Sequence, residues 1–101
     1  MSKVSVVGSM SCQEGKADEM EKVLVKMTEC VEGQDGVISY SYHRDENDKF
    51  WFFALMENAE AMQNHADIDG MAEIMAEAMP LMAGAPEMST CTPIAGFGFG
   101  A

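Results

Sequence analysis

His65 is the first residue in this chain that could do chemistry. A neutral imidazole near physiological pH can take a proton from a phenol or quinol, or orient it. Helical spacing puts His65 on one face with Ala61 and Met62, so its ring is expected to point inward. The plainer alternative is a histidine satisfied by a backbone carbonyl or by Glu57. Glu57 ends an apolar strand and is a second acid/base candidate. Its plainer role is pairing that holds the strand-helix junction. Tyr40 and Tyr42 lie two apart, so strand alternation turns them to one face, with Ile38 and Arg44. A phenol in a pocket can hydrogen-bond a substrate oxygen, and Arg44 could hold an anionic group or simply sit beside the acidic turn that follows it.

These groups need elements to position them. Lys3 to Ser11 alternates as a first strand. From Lys16 to Glu32, Ala17, Met20, Val23, Leu24, Met27 and Val31 form one apolar helical stripe, and Gly33 ends the helix. A second strand runs from Val37 to Arg44, the polar turn Asp45 to Asp48 follows, and a third strand covers Lys49 to Glu57. Asn58 should cap a short helix from Ala59 to about Ala66. Asp67 or Asp69 should cap another, with Met71, Ile74, Met75, Ala78, Met79 and Met82 as its stripe. Pro80 should kink or end it. Glu87 to about Ile94 is the last strand, and Gly96 to Gly100 closes the chain with Phe97 and Phe99 as possible partner contacts. The order is β-α-β-β-α-β, an α+β, ferredoxin-like arrangement with an antiparallel four-stranded sheet.

The third strand carries a further message. Phe50 to Met56 is apolar on both faces, so both need cover. Helices can cover one. In a chain of 101 residues little remains for the other except a second copy, so a homodimer through the sheet face is expected. Trp51, Phe53 and Leu55 share one face with Glu57, while Phe50, Phe52, Ala54 and Met56 share the other. One set should lie beneath the helices and the other at the dimer interface, and alternation alone does not say which. Eleven methionines are an unusual number. The stripe holding Met71 and Met75 reads first as core, yet flexible thioethers could also wall a flat aromatic ligand.

The formal net charge of -11 disfavours nucleic acid and anionic membrane surfaces as partners. The N-terminal residues lack a signal-peptide pattern, and no stretch is long and apolar enough to span a membrane. One cytoplasmic domain over residues 1–101 is the expectation. The three cysteines are widely spaced and read as free thiols. There is no GxGxxG after a strand, no P-loop, no Ser/His/Asp order and no Cys/His metal spacing, so neither a cofactor nor a metal is expected.

The stretch from Gly36 to His65 resembles the core of the antibiotic-biosynthesis-monooxygenase family of dimeric α+β barrels. Gly36 opens the second strand and Tyr40 follows four positions on. Phe53, Leu55 and Glu57 close the third strand. Ala61 and His65 follow the glutamate by four and eight. Members commonly carry a tryptophan two residues past the glutamate, where this chain has Ala59, and many carry a second histidine in the following segment. The haem-degrading branch is less similar, since its histidine falls where Met75 stands and the first strand here has no asparagine. The resemblance implies a cofactor-independent monooxygenase acting on a small aromatic or quinol-type substrate. It implies His65 as base or orienting group, Tyr40 as hydrogen-bond donor and Trp51 or Phe53 as the flat wall, with Glu57 as the family's strand-ending glutamate; the residues themselves add Tyr42, Met71 and Met75 as candidate substrate neighbours, with packing the plainer role of Tyr42. The alternative is a non-catalytic small-molecule binder or accessory protein on the same barrel.

Overall fold

A computed structural model of the chain describes residues 3–64 and 70–98. The elements are β1 (Val4–Met10), α1 (Ala17–Val31), β2 (Val37–Arg44), β3 (Phe50–Met56), α2 (Ala59–Asn64), α3 (Met71–Ala78), a 3-10 turn (Met79–Leu81) and β4 (Glu87–Cys91). Their order is the expected one. The strands form a four-stranded antiparallel sheet in the order β2-β3-β1-β4. The sheet is open, with β2 and β4 as its edges.

The α1 stripe is buried as its spacing predicts: Ala17, Met20, Val23, Leu24, Met27 and Val31 all pack inward. Asp18 and Glu19 sit in its first turn, where the helix dipole favours negative charge. Past its end, Gly33 adopts φ +91° and the Gln34 N–H donates to Val31 O at 2.9 Å. Asn58 caps α2 as expected, its Oδ1 accepting from the Ala61 N–H at 2.9 Å. Pro80 ends the regular part of α3, and the chain tightens into the 3-10 turn, where Met82 N–H reaches Met79 O.

Strand pairing settles which face of β3 is which. Phe50, Phe52, Ala54 and Met56 stand opposite Met10, Gly8, Val6 and Val4 of β1, and opposite Arg44, Tyr42, Tyr40 and Val37 of β2. Directly paired residues share a face. The helices pack on this face, in clusters joining Phe50 to Met20 and Leu24, and Ala54 and Met56 to Ala61. The other face holds Trp51, Phe53 and Leu55. There Leu55 is fully buried, Phe53 is partly exposed and Trp51 is 45% exposed.

Three expectations change in detail. A β-bulge between Val37 and Ser39 makes Ile38 the extra residue, so Val37 rather than Ile38 joins Tyr40 and Tyr42 in the apolar clusters. The last strand stops at Cys91, and beyond it Ile94 is 96% and Phe97 98% exposed. At the start of α3, Gly70 occupies the N-cap position with φ +86° and no side-chain cap. Asp67, Asp69, His65 and Phe99 lie outside the described residues. No helix among the described residues is long and apolar enough to cross a membrane.

Candidate functional site

A cavity of about 420 Å³ opens between the helix-bearing face of the sheet and the helices. Its floor comes from all four strands: Val6 and Met10, Tyr40 and Tyr42, Phe52 and Met56, Met88 and Thr90. Its roof is Leu24 and Met27 of α1, Met62 of α2, and Met71, Met75 and Ala78 of α3. Met82 and Pro86 close one side. Eight of the eleven methionines thus face one space, where flexible and polarizable side chains can follow a ligand's outline.

Local structure explains several of these placements. Met88 reaches the cavity because its partner on β1 is Gly8, where a β-carbon would collide with the Glu87 backbone oxygen and the Met88 side chain. The loop after α3 is tied to the end of β1. Gln13 N–H donates to Leu81 O at 2.7 Å, Ala83 N–H to Ser11 O at 2.9 Å, and the Gln13 side-chain amide to Met82 O at 2.9 Å. That stitching holds Met82 at the cavity wall.

The polar end belongs to the two tyrosines. Their hydroxyl oxygens are 3.0 Å apart, and Tyr42 also donates to Met27 Sδ at 3.0 Å. Phe52 completes a three-ring cluster, with its centroid 5.0 Å from Tyr40 at 75° and 4.8 Å from Tyr42 at 35°. Such offset and edge-on contacts orient the phenols. Burial pushes the pKa of both above the ordinary phenol value of 10.0, Tyr42 most, with the neighbouring phenol raising it further. For Tyr40 the hydrogen bond shared with Tyr42 works against burial. Both are therefore neutral phenols at physiological pH, and neither is a standing base.

Of the residues singled out in the sequence, Tyr40, Tyr42, Met71 and Met75 meet in this cavity. Trp51 and Phe53 do not join them. They lie across the sheet, where Trp51 Nε1 donates to Asp45 Oδ2 at 3.0 Å and the Lys49 ammonium sits 4.9 Å above the indole. The flat wall beside the tyrosines is Phe52. Glu57 is exposed, and its backbone N–H donates to Gly36 O at 2.8 Å. Arg44 is not available to hold an anionic ligand. It binds Asp48 at 2.8 Å and Asp18 and Glu21 at 3.0 Å each, and it lies over Phe50. Met82, a member of the stripe read as a possible ligand wall, lines the cavity too, whereas Phe52, Met27, Met56, Met62 and Met88 were not singled out as site residues by sequence reasoning. The signal for Phe52 was present in the parity of β3, but only the pairing of Phe52 with Tyr42 shows which parity faces the helices.

Fold and cavity together define a ferredoxin-like α+β protein with a ligand-sized apolar chamber between sheet and helices. The model of the family described as antibiotic biosynthesis monooxygenase matches residues 3–77, and the chain belongs to that family. Solved structures with the same fold include a protein of Caulobacter crescentus CB15 assigned to these monooxygenases, with 25% identity and a TM-score of 0.86 over 93% of this chain and 92% of that one. Another, from Chloroflexus aurantiacus J-10-fl and with the same assignment, has 24% identity and a TM-score of 0.84 over 98% and 100%. SnoaB, a cofactor-independent oxygenase from Streptomyces nogalater, shares the fold at 15% identity, with a TM-score of 0.83 over 97% and 99%. No curated protein matches the sequence closely enough to count as a relative.

Proposed function

We propose that this chain is a cofactor-independent monooxygenase that oxidises a small aromatic or quinol-type substrate with dioxygen. The observation that carries the reading is the cavity: an apolar chamber of about 420 Å³ with one flat aromatic wall and two phenols converging at one end. Such a space suits a flat ring with a polar edge. Family membership supplies the reaction class. In this reading the substrate provides the electrons. The substrate is deprotonated, the resulting anion reacts with dioxygen, one oxygen atom enters the product and the other leaves as water.

The protein's part is to bind, orient and exclude water. His65 is assigned as the base or orienting group, since both phenols are protonated at neutral pH. Tyr40 is the hydrogen-bond partner of the substrate's oxygen, with Tyr42 behind it. Met71 and Met75 form the adaptable roof, and Glu57 stays at the strand-helix junction. Trp51 and Phe53 face a second copy of the chain across the sheet, in a homodimer.

The test is oxygen uptake with a panel of reduced quinols and anthrones, comparing wild type with His65→Ala. Turnover by wild type and a large loss in the variant is the expected result. Turnover unaffected by the substitution would remove His65 from its role. Tight binding of an aromatic ligand without turnover of any panel member would instead identify a non-catalytic binder, which needs no base in the cavity.

A further inference from the structure

Among the described residues, the wall of the cavity carries no charged side chain. The polar side chains on it are those of Tyr40, Tyr42 and Thr90, and the rest of the wall is apolar. The chain has six lysines and arginines in all, and each has a place elsewhere. Lys3 and Lys22 are exposed, Lys16 pairs with Glu19, and Lys26 pairs with Glu77 at 2.9 Å. Arg44 is held by its three carboxylates, and Lys49 lies over Trp51 on the opposite face of the sheet.

We propose that the site selects uncharged aromatic ligands and rejects those that carry a carboxylate, because no lysine or arginine of the chain reaches the cavity to take the place of water around a negative charge. This rests on the proposed function, which takes the cavity as the ligand site and His65 as a neutral base. An ionised carboxylate leaves bulk water at a large cost unless a partner replaces its lost hydration. The formal net charge of -11 adds repulsion during approach. The two phenols on the wall feel the same surroundings. Burial is the largest cause of their raised pKa, so the cavity disfavours a negative oxygen even on its own residues.

The charge needed for reaction with dioxygen therefore arises inside, after a neutral molecule has bound. A localised anion would be as costly there as a carboxylate. A charge spread over several fused rings needs a counter-ion least, so the substrate is an extended ring system rather than a simple phenol. A cavity of about 420 Å³ lies within the range of sites that take such molecules.

The experiment measures binding of 6-hydroxy-2-naphthoic acid and its methyl ester by calorimetry at neutral pH, which needs no turnover. The two share a ring system, a hydroxyl and a carbonyl, and differ in charge. Wild type should hold the ester at least about tenfold more tightly. The preference should survive high salt, which screens the net charge of the chain but not desolvation inside the cavity. Met75 lines the cavity and is 37% exposed, so Met75→Lys sets a cation beside the ligand and should raise the affinity for the acid relative to the ester by about tenfold. Met88→Lys, on the floor of the cavity at 45% exposure, repeats the test if Met75→Lys does not fold. An acid that binds wild type as tightly as the ester overturns the selection and leaves the oxygenase reading standing. So does a preference that disappears at high salt, or one that neither lysine changes. Failure of acid and ester alike to bind wild type overturns the cavity as the ligand site and takes the selection with it.

Discussion

Gly36 and Ala61 meet so closely that a β-carbon on residue 36 would lie 2.6 Å from the Ala61 Cβ. The contact gathers the start of β2, the end of β3 and the first turn of α2 at one point. Gly36 O accepts from Glu57 N–H, Asn58 Oδ1 caps α2, and the Gln34 side chain donates to Ala61 O. The spacing of Gly36, Glu57 and Ala61 in the sequence is thus the spacing of a packed junction. It aims α2, and with it Met62, over the cavity.

Gly36→Ala should therefore destabilise the protein by at least about 2 kcal/mol. Residue 36 has φ +87°, which costs an L-residue on its own, and the new methyl group collides with Ala61. Urea denaturation measures the loss. A change within about 0.5 kcal/mol of wild type would contradict the close contact.

The two methionines that the sequence placed beside a ligand should separate on truncation. Met71 is 4% exposed and Met75 37%. Met71→Ala should cost about 2–4 kcal/mol of stability, as deletion of a buried side chain does. Met75→Ala should cost less than about 1 kcal/mol and act mainly on ligand affinity. Thermal unfolding and calorimetric titration read the two effects apart.

Alkaline pH should weaken the fold through the buried phenols. An unfolded tyrosine loses its proton near 10.0, whereas Tyr40 and Tyr42 hold theirs to higher pH. Above about pH 10 the unfolded chain releases protons that the folded one retains, so stability falls as pH rises there. Below that range this contribution is fully present. Tyr42→Phe should lose less stability than wild type between pH 9 and 11, measured by denaturant midpoints. Parallel curves for the two proteins would count against the buried pair.

Arg44→Gln should leave ligand binding unchanged, because the guanidinium is already held by Asp18, Glu21 and Asp48 away from any ligand role. Its loss should produce a small drop in stability that fades at high salt, since these partners are exposed. Denaturation at low and high ionic strength checks the sign. A large loss of affinity for an aromatic ligand would restore Arg44 as a binding residue.

The open face should pair with a second copy. Val7 and Trp51 lie on it at 41% and 45% exposure, with Phe53 between them. Sedimentation at micromolar concentration should give the mass of two chains, and Trp51→Asp should give one. A monomeric wild type would refute the dimer.

Much of the fold was legible because local periodicity survives in the sequence. Six residues at helical spacing marked α1, and all six are buried. Asn58, Pro80 and Gly33 act through the backbone of their own neighbours, so their effects could be read without a partner. The site was legible only in part. Tyr40, Tyr42, Met71 and Met75 were named and do converge. Trp51 and Phe53 were placed with them, yet neighbouring side chains along a strand point to opposite faces, and the face that meets the helices depends on other strands.

By itself the sequence determined the order and type of the elements, the paired phenols on one strand and a third strand apolar on both sides. These follow from side-chain periods of two and 3.6 residues, which are properties of short stretches. Only the tertiary structure decided which side of β3 lies under the helices, that Ile38 is bulged out of register, and that Met27 meets Tyr42. Those outcomes rest on pairing between strands and packing of a helix fifteen residues back in the chain, where a shift of one residue would turn every side chain to the other face.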